Sequence, residues 1–325
     1  MSRLYRPETD AQRVKAMQAA KAKYDATPAT QRAFGADTYT RLVDFLPPYL
    51  IEIQERGTAL SQQSQAVSAI NPQRRKLRLY VSHFIIGLDN AILREELPAS
   101  DRAYYQLAVS GGAMPKLTTD EDLILWANNI ISGEATRVTA GGTALSNPTA
   151  AQVQANLTTF QPLYDTLSAR KSAYDSEQED VAALWEEADD ILSDIWDEVL
   201  FTYRKDEAPS MRRKAREYGV TYRLGTGEQP SPDEFSVDGI VTEQTTVGIP
   251  GPSVDVEVTV IENNVTVLTD IDGRYLIPTQ TPGNYNLRFK KFGFKEQVLP
   301  VTIAAGQVTL LNVQMVPSFP PPPVP

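Results

Sequence analysis

The hydrophobic period of this chain changes once, near residue 230, and that change limits what the chain can build. Before it, apolar side chains recur at steps of three and four, the spacing of one helix face. Beyond it, short runs such as "VDVEVTVI" and "NYNLRFKKF" alternate apolar and polar residues between turn signals, the spacing of half-buried strands. The joint is "YRLGTGEQPSPDEF", where Gly, Pro, Ser and Asp follow one another as in a linker. The pattern predicts a multidomain α + β protein: a helical bundle over residues 1–228, a linker over 229–235, a β-sandwich over 236–316 and a proline-rich tail, "SFPPPPVP", over 317–325.

Four helical stretches stand out in the first part. "TDAQRVKAMQAAKAKY" has Thr9 or Asp10 to cap it and a thin stripe of Val14, Met17 and Ala20. A second run from Asp37 carries Tyr39, Leu42, Val43, Leu46, Leu50 and Ile53, with Pro47 and Pro48 expected to kink or interrupt it. The third has Asn71 as cap, Pro72 at the first helical position, and Leu77, Tyr80, Val81, Phe84, Ile85, Leu88 and Ile92 on one face. "TTDEDLILWANNIISG" begins with the acidic turn a helix N-terminus favours. After "TAGGTALSN", Asn147-Pro148 repeats the cap-plus-proline start of a long region reaching Arg204, with a kink expected at Pro162. Its second half sets Val181, Leu184, Ala188, Ile191, Ile195 and Val199 on one seam. Eleven acidic residues lie between Asp175 and Glu198 without a Lys or Arg, so the seam's other faces are strongly anionic.

Composition narrows the chemistry. There is no cysteine, which removes disulfides, thiolate metal sites and thiol nucleophiles. The single histidine, His83, removes HExxH zinc sites and paired Glu-x-x-His di-iron sites; on its apolar helix it reads as a packed or interface residue. Net charge is −10, with 26 basic against 32 acidic residues before position 234 and 5 against 9 from there on, so neither part has the cationic excess that nucleic-acid binding uses. The charged start "MSRLYRPETDAQRVKAMQ" lacks the apolar core of a secretory signal, and no apolar run reaches the ~20 residues of a membrane span, so the chain is expected to be soluble when made. Its final compartment is left open, with an extracellular or particle-associated place reachable by a non-classical route.

In the β part, five features follow in order: "VDGIVT" with Gly239; "GIPGPSVDVEV"; "TVLTDIDGRYLI" with Thr269, Asp270, Asp272, Gly273 and Tyr275; "TPGNYNLRF" with Pro282, Gly283 and Tyr285; and "KFGFKE" with Gly293. Together they resemble the carboxypeptidase regulatory-like family, whose fold is a transthyretin-like (prealbumin-like) sandwich. The resemblance implies a Greek-key-type sandwich of about seven strands that serves as a folding support, spacer or binding module, as in surface and secreted proteins of the Bacteroidota. The residues have their own physical reading. Asp270 and Asp272 cap a turn that Gly273 closes at positive φ, and Pro282-Gly283 reads as a type II turn. In the peptidases that gave the family its name a zinc domain comes first, and the helical region here lacks that domain's metal motif.

Other candidate sites are weighed on the same terms. Glu186, Asp189, Asp190, Asp194, Asp197 and Glu198 could gather a hard cation, but a solvated face or one that meets basic residues asks for less. "TDIDG" lacks the third acidic position and the terminal Glu of a calcium loop. The clusters Arg74-Arg75-Lys76-Arg78 and Arg212-Arg213-Lys214-Arg216 suit pairing with the acidic helix, within one chain or between copies, better than phosphate. "GGTALSN" and "SGGAMP" carry no nucleotide fingerprint. No catalytic, cofactor or metal residues are assigned. The expectation is a non-enzymatic bacterial structural protein that self-assembles into an oligomer, lattice or filament through its helical domain; the alternative is a module that binds a glycan, peptide or protein through sandwich loops.

Overall fold

Residues 3–110, 113–223, 230–244 and 250–318 are described by a computed structural model. Residues 224–229 at the joint, 245–249 with the first two residues of "GIPGPSVDVEV", Gly111-Gly112 of "SGGAMP" and the proline tail from residue 319 lie outside the described residues. The chain forms two compact units, one from residues 1–51 with 184–325, the other from residues 52–183.

In the first unit, α1 (Asp10–Ala26) starts at Thr9, whose hydroxyl accepts the Gln12 N–H at 3.2 Å. It lies with the start of α2 (Ala36–Leu93), α5 (Trp185–Tyr203) and α6 (Ala208–Arg216). The α5 seam is buried at Ala188, Ile191, Ile195 and Val199, with Leu192 and Trp196 beside it. Its acidic flank is neutralised from the N-terminal helices: Arg13 forks onto Asp189 at 2.8 and 3.0 Å, Arg41 pairs with Asp194, and Glu198 accepts from the Gly35 N–H and Thr38 hydroxyl. Within the chain, then, the two basic clusters are not the partners of the acidic helix. Arg74 forks onto Asp120 at 2.6 Å, and Arg212 and Arg216 converge on buried Glu234. A bidentate guanidinium needs a carboxylate facing it squarely, a matter of helix packing that charge counting along the sequence does not resolve.

Two short strands, β1 (Arg3–Leu4) and β2 (Tyr222–Arg223), pair antiparallel beside the β region. That region has nine strands among the described residues, in sheets of five and four, where about seven were expected. In the first sheet β3 (Phe235–Gln244) is the hub, paired antiparallel with β4 (Pro250–Pro252) and β7 (Arg274–Pro278) and parallel with β10 (Thr309–Leu310) and β11 (Val313–Met315). The second sheet runs β6 (Val265–Leu268), β5 (Glu257–Val260), β8 (Gly283–Lys290) and β9 (Gln297–Ile303). Alternate residues of both sheets fill one core, with Val237, Val241 and Ile277 from one and Val258, Leu287 and Val301 from the other. Tyr275 meets Phe289 edge to face across it, ring centroids 5.6 Å apart.

The second unit packs residues 70–93 of α2 against α3 (Asp120–Thr139) and the first half of α4 (Ala150–Ala183). Leu77, Val81, Phe84, Ile85 and Leu88 are buried as their spacing predicts. An interruption at Pro47-Pro48 and the helix start expected at Asn71-Pro72 are absent, because α2 is continuous over 58 residues. Each proline lacks an N–H and crowds the preceding turn, but buried residues flank them: Leu46 and Tyr49 at the first pair, Ile70 and Leu77 at the second. Packing on both sides outweighs the local penalty. Pro162 likewise lies inside α4, and the division in the later helical region falls at Leu184. The N-terminus of α4 is capped by Thr149 and not Asn147: Thr149 Oγ1 accepts the Gln152 N–H at 3.2 Å while Gln152 Oε1 accepts the Thr149 N–H at 2.9 Å. Thr119 and Asp122 form the same reciprocal cap on α3.

The unit is locked by a buried polar cluster. Arg137, 1% exposed, donates to both carboxylate oxygens of Glu134 at 3.0 and 3.1 Å, to the Tyr105 hydroxyl at 2.8 Å and to the Thr143 carbonyl at 2.6 Å. Glu134 also accepts the Leu145 N–H, and burial beside that carboxylate raises the Tyr105 pKa. Beyond this core, α2 residues 52–69 and α4 residues 165–180 form a two-helix arm in which Ala59, at 9% exposure, is the most buried residue.

Candidate functional site

On the first unit, one face of α1, the segment 219–222 and the outer side of β6 and β7 enclose a cleft of about 310 Å³. Apolar wall is supplied by Ala16, Ala19, Val220, Phe235, Leu268 and Leu276. Gly219 makes the close approach possible: its φ is +79°, and a Cβ there would collide with the Ala16 backbone of α1.

Two cations enter this apolar wall. Arg216 lies 4.5 Å over the Phe235 ring and 5.5 Å from the Tyr222 ring, and its guanidinium is paired with Glu234 at 3.4 Å. Burial lowers the Arg216 pKa from its ordinary value. Lys15 has no carboxylate within ion-pair distance among the described residues; burial pushes its pKa down to about 8, with the field of Glu257 opposing the shift. Tyr222 also lines the cleft, with its hydroxyl buried and without a hydrogen-bond partner among the described residues. The remaining charged groups are engaged. Arg274 forks onto Asp238 at 2.8 Å, and Asp270 Oδ1 accepts the N–H groups of Asp272 and Arg274 at 3.0 and 2.9 Å.

The family-motif residues surround this cleft and the sandwich core, and each has a structural task. Thr269 is buried, donating to the Ser253 carbonyl at 2.6 Å and accepting the Val256 N–H at 2.9 Å. The Asp270 turn is closed by Gly273 at φ +73°, while Asp272 is exposed. Gly239 leaves room for the Leu311 carbonyl, which accepts the Tyr275 hydroxyl at 2.7 Å. Gly293 turns at φ +84°, and Tyr285 donates to the Thr281 carbonyl at 2.8 Å. Pro282 is exposed, but Gly283 does not take the left-handed position of a type II turn; it opens β8 and pairs with Ile303.

His83 is exposed on α2 and not packed, because the buried arc at that level is Val81, Phe84 and Ile85. The acidic residues of α5 do not gather into a cation site. Among the described residues three carboxylates converge elsewhere, at Glu52, Glu177 and Asp180 on the arm, within 4.8 Å of one another. No helix among them is long and apolar enough to cross a membrane.

Sequence reasoning missed Lys15 and placed Arg216 only in a charge cluster. A signal was present: Gln12, Lys15, Ala16 and Ala19 fall at i, i+3, i+4 and i+7, a second small-residue face on α1 with a lysine in it.

Comparison with known proteins agrees with the motif reading for the β region. Residues 236–316 match the family model of the carboxypeptidase regulatory-like domain. No curated protein matches the chain. Among solved structures, the chain is similar to GBS52, the minor pilin of the Gram-positive pathogen Streptococcus agalactiae, at 14% identity and a TM-score of 0.23, covering 39% of this chain and 79% of that one. It is also similar to catechol 1,2-dioxygenase from Acinetobacter sp. ADP1, at 11% identity and a TM-score of 0.19, covering 63% of this chain and 94% of that one. Superposition scores this low carry no functional inference.

Proposed function

We propose that this is a non-enzymatic bacterial structural protein whose helical region pairs with a second copy of itself and carries the β domain as a displayed or bridging module. The observation that carries the reading is a solvent-facing apolar stripe on α2. Leu79, Ile86 and Leu93 recur at heptad spacing with exposures of 49%, 45% and 80%, opposite the face that fills the core. Polar residues are what a helix exposed to water normally shows there. His83 lies within the stripe, one turn from Leu79 and one from Ile86.

The stripe is self-complementary. An antiparallel two-fold through Ile86 sets Leu79 of one copy on Leu93 of the other, both exposed. Like contacts like only on the axis, so the chain's lack of cysteine gives a direct test. A single Ile86→Cys is expected to form a disulfide dimer under mild oxidation. Leu79→Cys alone does not, whereas mixed Leu79→Cys and Leu93→Cys chains do. Light scattering on the full chain is expected to show a dimer or larger assembly that Ile86→Glu dissociates. A monomer at all concentrations, with no Ile86→Cys cross-link, rejects the reading.

A second reading, binding of a protein or glycan through sandwich loops, is favoured by Phe292, 95% exposed beside the Gly293 turn. Loss of partner capture on Phe292→Ala, with assembly unchanged, would support it.

A further inference from the structure

We infer that Asn264, at the tip of the hairpin between β5 and β6, is an N-glycosylation site whose side-chain amide takes a sugar from a glycosyl diphosphate. This site is independent of the α2 stripe.

The chain contains three Asn-x-Thr tripeptides, the acceptor pattern of N-glycosylation, and two of them are ruled out. Asn147-Pro148-Thr149 has proline in the middle, which the pattern forbids, and its threonine is spent on capping α4. Asn156-Leu157-Thr158 lies inside α4, where Asn156 is 7% exposed and its Nδ2 donates to the Gln152 carbonyl at 2.7 Å. That nitrogen is enclosed and already bonded. Asn264-Val265-Thr266 differs on both counts, because residues 261–264 are exposed and join the two strands just beyond their last pair, Val260 with Val265.

Asn264 has φ +58°, and its N–H donates to the Val260 carbonyl at 2.8 Å, closing the turn. A left-handed position admits glycine as well as asparagine, so the backbone alone does not require an amide there. Asparagine in a turn usually spends its side chain on nearby backbone. Asn263 follows that habit: its Oδ1 accepts the Val265 N–H at 3.2 Å, and its Nδ2 donates to Gln280 Oε1 at 2.5 Å. The exposed Asn264 amide has no partner among the described residues. Thr266 supplies the hydroxyl of the pattern, which donates to the Asn264 carbonyl at 3.3 Å and lies 3.0 Å from Thr259 Oγ1. It is half-buried and lines the cleft beside α1. A free amide and its hydroxyl two residues on are therefore presented together at one end of the second sheet.

The transfer balances with one donor and one enzyme. Asn264 Nδ2 attacks the anomeric carbon of the sugar, and the new C–N bond forms as the bond from that carbon to the diphosphate oxygen breaks. The diphosphate leaves with the electron pair, the amide nitrogen gives one proton to the transferase, and nothing is oxidised or reduced. β5 begins at Glu257 against Lys290, close to the Phe292 turn, and ends at Val260 against Leu287. Asn264 is thus at the end of the sheet away from Phe292, and the two surfaces are tested separately.

The test uses the full-length protein isolated from the cells that make it. Trypsin releases residues 224–274 as one fragment, in which Asn264-Val265-Thr266 is the single acceptor pattern. Mass spectrometry with electron-transfer fragmentation is expected to find hexose or N-acetylhexosamine on Asn264. A single sugar would trace the donor to a sugar nucleotide and a fixed oligosaccharide to a polyprenyl-linked donor; either supports the inference. Asn264→Gln should abolish the modification and Asn156→Gln should leave it unchanged. Thr266→Ser should keep it, and Thr266→Val should lose it with Asn264 still in place. Thermal melts of the variants show whether each is folded. The inference is overturned if Asn264 is unmodified in protein from its own cells, if the sugar sits on a threonine or serine, or if folded Thr266→Val is modified as fully as the original.

Discussion

The β domain and the helical region solve the same problem, satisfying buried polar groups, at different ranges along the chain. In the β domain the partners are close in sequence. Asp270 accepts N–H groups two and four residues on, and Thr269 joins Ser253 to Val256, 16 and 13 residues away. In the helices packed in the first unit they are far apart, unlike the Glu134–Arg137 pair of the second: Arg13 meets Asp189 across 176 positions, and Thr9, besides capping α1, donates to Asp255 across 246. A short-range device works through backbone conformation and recurs as a motif. A long-range one depends on how helices dock, and any helix face with a suitable charge could have supplied it.

If that contrast is right, the largest loss should come from a backbone device, where no neighbour can rearrange. Gly239→Val places a side chain against the Leu311 carbonyl and the Tyr275 ring, whose Cε1 lies 2.6 Å from where a Cβ would sit. The parallel pairing of β10 and β11 with β3 cannot form around it. A loss of more than about 4 kcal/mol is expected, enough to unfold the sandwich, read from urea unfolding followed by Tyr and Trp fluorescence. Stability within about 1 kcal/mol of the original would show that the strand junction yields.

Next is the buried pair of the helical region. Arg137→Ala leaves the Glu134 carboxylate charged and enclosed, with an expected cost of about 3–5 kcal/mol. The pair itself need not be a net stabiliser, so Arg137→Met with Glu134→Leu should recover most of that loss. A double variant as unstable as the single would mean that the bonds to Tyr105, Thr143 and Leu145 matter more than the charge pairing.

Thr269→Val keeps the shape of a buried residue but removes a donor and an acceptor. The Ser253 carbonyl and Val256 N–H then lose partners, and about 1–3 kcal/mol is expected. If Thr269→Ser restores most of it, the hydroxyl is responsible; if not, the methyl's packing is.

These variants also mark what was legible in the sequence. Gly239, Thr269, Asp270, Gly273 and Tyr275 could be read because turns and close approaches restrict residue type at fixed spacing. The face of α2 from Leu77 to Leu88 and the seam of α5 could be read because burial follows the helical period, whereas Leu50, read onto the earlier face of α2, is exposed. Three things could not. Continuity of α2 through Pro47, Pro48 and Pro72 depends on packing at Leu46, Tyr49, Ile70 and Leu77 and not on the prolines. The partners of the acidic helix, Arg13 and Arg41, are isolated basic residues, whereas runs such as Arg212-Arg213-Lys214 draw the eye. The cleft is built from α1, the segment after α6 and the β domain, so no local window contains it.

The smallest expected effect has the opposite sign, because Lys15 is a cation held against an apolar wall with no carboxylate in contact among the described residues. Lys15 has a folded-state pKa near 8 against an ordinary 10.5. Below about 8 the amine is protonated in both folded and unfolded chains, and the fold carries the whole cost of the desolvated charge. Between 8 and 10.5 the unfolded chain binds more protons than the folded one, so stability attributable to this group rises with pH across that window. Lys15→Met removes the cost and should stabilise the protein at neutral pH by about 1–2 kcal/mol, a discounted value because the side chain is partly open to solvent. The gain should shrink toward zero as pH approaches 10.5. The tyrosines whose pKa values burial raises, Tyr105, Tyr203, Tyr222 and Tyr275, are common to both proteins and cancel in the difference. A pH-independent gain would trace the effect to packing of the methionine, and a loss at neutral pH would show that Lys15 supports the fold. A pH-dependent gain would identify Lys15 as a local violation of the rules that make the rest of α1 stable, which is where functional residues tend to be found.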